Sequence, residues 1–416
     1  MRSGELRVRL PGVSLGEHCV VRVGVSDATV IGHGVVAGIE HDVATLSLVG
    51  SAAAPGAGTL VVPTGQPLRI ATGHHLLGTV LDGFGDIVER FDGRVPVASA
   101  VQREPVSAPP MDFRDRRAVV RPFPTGVRAV DGLLTVGEGQ RVGIFAAAGS
   151  GKTTLVEMLL EGSRCDVRVV ALIGERGREV AAFVDALRNS PVASRTIIVQ
   201  ATSDTSPATR VNAAMVATRI SEYFRQKGSG VLLVMDSVTR YARALRDMAL
   251  SAGEPPARRG YPASVFEALP RLVERPGNTR DGSITAFYTV LMEEEGEADP
   301  VGEEVKSLLD GHIHLAGRLA QRGHFPAIDI LRSGSRLFLQ LANEQQRAAA
   351  ARVRDLLGRL EDLQLLRDIG EYQPGVQPEQ DMAIAKESAL HAYLRQGRHE
   401  QVDMASGQEA LHALAR

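Results

Sequence analysis

The chain has 416 residues, 47 Lys+Arg against 49 Asp+Glu, and 44% apolar residues. At about 100–200 residues per domain this length holds two to three domains, and the apolar share excludes a disordered chain. A formal net charge of -2 offers no electrostatic case for a dedicated nucleic-acid binder. Trp is absent, and the aromatics are 11 Phe and 6 Tyr. Cys19 and Cys165 have no metal-ligand spacing and read as reduced, buried thiols. No apolar run follows Arg2, so no signal peptide is expected. No stretch of about 18 apolar residues predicts a transmembrane helix. A cytoplasmic protein is expected.

Residues 1–72 read as short strands. Leu6, Val8 and Leu10 alternate with Arg7 and Arg9, and residues 20–25 and 43–49 are similar, with Gly and Pro between. Such spacing predicts a small barrel or sandwich. The Pro-rich stretch 105–110, with Pro122 and Pro124 after it, reads as an extended connector. From about 135 the pattern changes. Residues 141–146, 167–173, 197–199 and 231–235 are continuous apolar runs separated by helical segments. Continuous runs predict a parallel sheet covered on both faces. From Asn343 the chain turns helical. Leu356, Leu357, Leu360 and Leu363 recur at helical spacing, Gly370 is a stop, and a second helix spans about 381–394.

Between the first apolar run and its helix lies Ala146-Ala147-Ala148-Gly149-Ser150-Gly151-Lys152-Thr153, a phosphate-binding P-loop with Ala146 in place of its first Gly. Small residues let successive backbone N–H groups curl around phosphates at a helix N-terminus. Ala148, Gly149, Ser150, Gly151, Lys152, Thr153 and Thr154 are the candidate nucleotide contacts. Lys152 would reach the β/γ-phosphates, and the Thr153 hydroxyl would ligate Mg²⁺. The run 231–235 ends in Asp236, a candidate second Mg²⁺ ligand at the end of a buried strand. The run 167–173 leads into Gly174-Glu175-Arg176-Gly177-Arg178-Glu179. Carboxyl ends of parallel strands line ligand crevices. There Glu175 is a candidate base for an attacking water and Arg176 a candidate γ-phosphate contact. A plain surface charge cluster fits the same residues equally well.

These motifs form a series with Thr125-Gly126-Val127-Arg128-Ala129-Val130-Asp131-Gly132, Met235-Asp236-Ser237-Val238-Thr239-Arg240, Arg259-Gly260-Tyr261-Pro262, Leu309-Asp310-Gly311-His312 and Phe325-Pro326-Ala327-Ile328-Asp329. The series resembles the export ATPases of type III secretion systems. Their relatives are the flagellar export ATPase, the alternative reading here, and the catalytic β subunit of rotary ATP synthases. The resemblance implies a small N-terminal β-barrel (1–72), a RecA-like P-loop ATPase core with a mostly parallel sheet (73–345) and a helical C-terminal domain (346–416). It implies ATP and Mg²⁺, with ATP bound between subunits of a homohexamer. It makes Glu175 the catalytic glutamate, sets Arg176 and Arg240 facing the nucleotide, and makes Arg336 an arginine finger supplied in trans. Phe325 falls where the β subunit stacks an aromatic on adenine, although an ordinary core aromatic fits as well. Gly334 stands where the resemblance leads one to expect a larger residue, which implies a loosely held Arg336.

The implied partners are central-stalk and stator proteins, chaperone–substrate complexes and the export gate at the inner-membrane face. The acidic stretch 293–299 reads either as a solvated charge run or as a docking loop for a basic stalk protein. A nucleic-acid translocase on the same core needs aromatic platforms in its N-terminal domain. Residues 1–83 contain no Phe, Tyr or Trp, so no nucleic-acid partner is expected. A non-catalytic nucleotide-binding subunit would carry Gln where Glu175 stands.

Overall fold

A computed structural model describes residues 5–24, 29–49, 56, 58–93, 102–292 and 299–416. They cluster in two compact units. The first comprises Met1–Arg117, Asp166–Tyr288 and Pro300–Leu308, and the second Ala118–Cys165, Thr289–Asp299 and Leu309–Arg416. Most of the acidic stretch, 293–298, lies outside the described residues.

The chain opens with β1 (Glu5–Arg9), β2 (Glu17–Val23), β3 (Thr29–Glu40), β4 (Val43–Val49) and β5 (Thr59–Pro67). They form one antiparallel sheet ordered β1-β4-β3-β2-β5. Period-two alternation sends Cys19, Val36, Ala44 and Leu46 into a small core with Leu6, Val8 and Val61. Register shifts between Val21 and Arg22 and between Val36 and Gly38 bend the sheet, as a small barrel requires. Neither cysteine forms a disulfide among the described residues. Burial, and next the Glu17 carboxylate, push the Cys19 thiol up to about 11, so it is inert. Cys165 is only half-buried.

Short strands β6 (Arg69–Ala71), β7 (Thr79–Leu81), β8 (Ile87–Arg90) and β9 (Arg103–Pro105) follow. Strand and helix then alternate through α1 (Arg128–Leu133), β10 (Arg141–Ala146), α2 (Lys152–Gly162), β11 (Val167–Ile173), α3 (Gly177–Arg188) and β12 (Thr196–Ala201). Next come α4 (Pro207–Gln226), β13 (Gly230–Asp236), α5 (Val238–Ser251), α6 (Ala263–Val273), β14 (Gly277–Asn278) and β15 (Ser283–Leu291). The series continues with α7 (Pro300–Leu308), β16 (Gly311–Leu315), α8 (Gly317–Gln321), β17 (Ile328–Ser335) and α9 (Phe338–Leu341). Three helices, α10 (Glu344–Asp368), α11 (Pro378–Leu394) and α12 (Met404–Ala415), close the chain.

In the first unit β15, β13, β11, β12 and β7 run parallel in that order, and β8 adds an antiparallel edge. All seven residues of β11 are buried, which is why its sequence is apolar at every position but Arg168. In the second unit β10 pairs in parallel with β16, and β16 pairs antiparallel with β17. α10 is capped by Asn343, whose side chain accepts the Gln346 N–H, and ends before Gly370.

The motif around Asp131 proves to be a brace. Its carboxylate, 1% exposed, accepts the Thr125 N–H at 2.9 Å, the Thr125 hydroxyl at 2.7 Å and the Gly126 N–H at 3.1 Å. Burial raises this carboxyl to about 6, against the pull of those three bonds. Folding therefore takes up a proton. The contribution to stability is full below the ordinary value of 3.8 and is lost as pH rises through about 6. At 1.36 kcal/mol per pKa unit the loss is at most about 3 kcal/mol. Asp131→Asn, which cannot titrate, should flatten the fall in Tm between pH 5 and 7 relative to the parent. Parallel Tm profiles for the two proteins would contradict this role.

Candidate active site

The phosphate loop leaves the buried strand β10. Gly149 and Gly151 adopt φ of 75° and 85°. The Ser150 hydroxyl donates to the Ala147 carbonyl at 2.7 Å and tightens the turn. No side chain caps α2, and a helix N-terminus of this kind attracts anions. Ala148, Gly149 and Thr153 are exposed, Ser150 is buried, and Gly151, Lys152 and Thr154 lie between. Half-buried Phe325 lies against this loop: a Cβ at Gly151 would sit 3.0 Å from its Cε1. The sequence alone could not separate Phe325 from an ordinary core aromatic, and the structure brings it to the phosphate loop.

A second cluster occupies the carboxyl ends of β11 and β13 in the first unit. Leu172 and Asp236 are level in the parallel ladder, so Glu175 and Asp236 leave the same edge of the sheet. Glu175 is 8% exposed and Asp236 6%. The Glu175 carboxylate accepts both arms of Arg240, from Nε at 3.2 Å and from Nη2 at 3.5 Å. Arg240 sits in the first turn of α5, where its N–H donates to the Ser237 hydroxyl at 3.3 Å. Gly174 makes this approach possible. Its φ is 69°, and a Cβ there would come within 2.9 Å of the Arg240 Cδ. The fork fixes the orientation of the Glu175 carboxylate. Arg176, its sequence neighbour, instead turns outward and pairs with Glu179 at 3.4 Å, its side chain 74% exposed.

Sequence reasoning missed Arg210, on the first turn of α4. Its Cδ lies 3.5 Å from where a Cβ on Gly174 would be, beside Arg240. Its Nε is buried without a hydrogen-bond partner. Burial draws the guanidinium below its ordinary pKa, opposed by Asp247 and reinforced by Arg240. Two half-buried guanidinium groups, Arg210 and Arg240, meet here beside the Glu175 carboxylate, and cations gathered in a recess favour an anion. No local signal marks Arg210, because its neighbours come from distant parts of the chain.

Arg336 stands apart from its own phosphate loop. Along β10, Ala146 is level with Leu315, and Leu315 with Ile328. At the other end Val142 is level with Gly311, and Gly311 with Ser335. β17 therefore starts beside the phosphate-loop end of β10 and carries Arg336 past the opposite end. Four residues of strand separate the two levels, roughly 13 Å at 3.3 Å each. The loop itself lies further still, beyond the span of an arginine side chain. The Arg336 side chain is exposed and, among the described residues, makes no hydrogen bond or ion pair. The Arg336 N–H donates to the Asp310 carbonyl at 2.8 Å. Arg332 is also exposed, with its N–H on the Asp329 carboxylate at 3.2 Å.

Residues 126–335 match the ATP synthase alpha/beta family, nucleotide-binding domain, and residues 342–413 match the T3SS EscN ATPase C-terminal domain. The chain is 50% identical over 391 residues to the SPI-1 type 3 secretion system ATPase of Salmonella typhi, covering 94% of this chain and 90% of that protein. It is 43% identical over 381 residues to the flagellum-specific ATP synthase of Pseudomonas aeruginosa, covering 91% and 84%. Its fold is similar to that of the assembled ATPase EscN of the enteropathogenic E. coli type III secretion system, with a TM-score of 0.91, 39% identity and coverage of 100% and 98%. EscN in complex with its central stalk EscO gives a TM-score of 0.89 at the same identity and coverage. The phosphate loop, the strand-end carboxylates and both family matches agree: the chain belongs to the type 3 secretion system ATPases of the ATP synthase alpha/beta family.

Proposed function

We propose that the chain is the catalytic subunit of a homohexameric ring, whose ATP hydrolysis releases chaperones from export substrates and unfolds those substrates. The observation that carries the ring is Arg336, exposed, unpaired within the described residues and out of reach of its own phosphate loop. An arginine finger delivered to a neighbouring site accounts for it. The assembled state of EscN supports the same reading. Functionally, 1–72 is the assembly domain, 73–345 the ATPase core and 346–416 the helical domain that meets substrates.

In each site Ala148, Gly149, Ser150, Gly151 and Thr154 cradle the phosphates, and Lys152 neutralises them. The Thr153 hydroxyl and the Asp236 carboxylate are oxygen donors of the kind Mg²⁺ selects. When bound, Mg²⁺ offsets charge on the phosphate oxygens. Glu175 turns from Arg240 to polarise the attacking water. Arg240 and Arg210 then face the released charge, with Arg176 reaching in from the rim. Phe325 offers its ring to adenine. A central-stalk protein is the first partner, by analogy with the EscN–EscO complex, with stator proteins and chaperone–substrate complexes beside it. No helix among the described residues is long and apolar enough to cross a membrane. The export gate at the inner-membrane face is a further partner in this reading. The aromatic-free N-terminal segment speaks against nucleic acid.

Sites completed between subunits make activity depend on assembly. Specific ATPase activity should rise with protein concentration until assembly saturates. A concentration-independent rate in a verified monomer would overturn the composite site.

A further inference from the structure

Asp310 accepts the Arg336 N–H, and a buried network surrounds that contact. Gln140 lies immediately before β10 and is 0% exposed. Its amide donates to the Asp310 carbonyl at 3.2 Å and to the Ser335 hydroxyl at 3.0 Å. Its carbonyl accepts the Gly137 N–H at 2.7 Å. The Ser335 hydroxyl passes the chain on, donating to the Thr135 carbonyl at 3.3 Å. Thr135, also 0% exposed, has its hydroxyl beside the Gln346 amide of α10 at 2.9 Å. Thr135 holds φ at 21°, which a β-branched residue adopts only under constraint. From the other side Arg354 of α10 donates to the Ser333 carbonyl of β17 at 3.3 Å.

We infer that Gln140 is a positioning residue that aims Arg336 at the neighbouring subunit. The inference rests on the reading of Arg336 as a trans group. Two of the three bonds from Gln140 fall on the groups flanking the Arg336 N–H, namely Ser335 and Asp310. Every polar atom of the Gln140 side chain is used, and water has no access, so the amide cannot adopt a second arrangement without leaving a buried group unpaired. Gln140 also precedes the strand that carries the chain's own phosphate loop. Through Gln346 the same network reaches α10, so the C-terminal helices bear on the aim of Arg336. This explains how the arginine is held although Gly334 supplies no side chain.

A finger misplaced by about 1 Å costs on the order of 10²-fold in rate. Gln140→Leu should therefore lower turnover at least about ten-fold while KM for ATP stays within about three-fold. The deciding measurement mixes subunits. Gln140→Leu subunits keep a sound phosphate loop and Glu175 but deliver a poor finger. Mixed with Glu175→Gln subunits, which deliver a sound finger, they should regain activity. Mixed with Arg336→Ala subunits they should regain none.

The opposite pattern, rescue by Arg336→Ala and none by Glu175→Gln, would assign the damage to the subunit's own phosphate loop and overturn the inference. Unchanged turnover would overturn it as well. Ser335→Ala, a gentler cut in the same network, should repeat the pattern at smaller amplitude, and it serves where Gln140→Leu fails to fold. As a control, Arg336→Ala mixed with Glu175→Gln must itself regain activity. If it does not, the trans reading of Arg336 falls and this inference falls with it.

Discussion

Glu175→Gln should bind ATP with near-parental affinity and turn it over on the order of 10²–10⁴-fold more slowly, the range for loss of a positioned general base. The carboxylate is nearly buried and fixed by the fork of Arg240. The amide keeps that shape and volume but cannot take a proton from water. Lys152→Ala should instead abolish activity by weakening the hold on the phosphates, which raises the dissociation constant for ATP as well. Fluorescent-nucleotide binding beside steady-state hydrolysis separates the two variants. Substantial turnover by Glu175→Gln would remove Glu175 from the role of base.

Arg336→Ala should lose about 10³–10⁵ in turnover, the value of an arginine finger in phosphoryl transfer. Its side chain is exposed and makes no hydrogen bond or ion pair among the described residues, so the alanine variant should keep the Tm of the parent to within about 0.5 kcal/mol of stability. An inactive but fully stable protein is the expected result. Loss of folding in step with loss of activity would point to a structural arginine.

The phosphate loop was legible because its chemistry is local: small residues, one lysine and one hydroxyl between a strand and a helix. β11 and β13 were legible because strands covered on both faces are mostly apolar, with Arg168 and the strand-end Asp236 as the exceptions. β3 escaped notice because Gly32, Gly34 and Gly38 interrupt its alternation, and its place in the sheet is fixed by pairing with β2 and β4. α12 was missed for want of a strong repeat, although Asp403 caps it by accepting the Ala405 and Ser406 N–H groups.

Sequence adjacency does not decide which arginine meets Glu175 in this structure. Arg176 follows Glu175 in the chain and turns away from it, whereas Arg240, 65 residues on, grips its carboxylate. Arg210 and Gln140 were illegible for the same reason. Their roles arise from neighbours that only the fold assembles. Gly334 supplies no side chain beside Arg336, and the Asp310 carbonyl that accepts the Arg336 N–H also accepts the buried Gln140 amide.

The composite site is the central claim, and subunit mixing tests it most directly. Arg336→Ala and Glu175→Gln proteins, each inactive alone, are combined and co-assembly is verified with two affinity tags. Sites that pair a sound Glu175 from one subunit with a sound Arg336 from the next should restore a measurable fraction of parental ATPase activity. A verified mixed assembly that remains inactive would contradict the account and return Arg336 to a role within its own subunit.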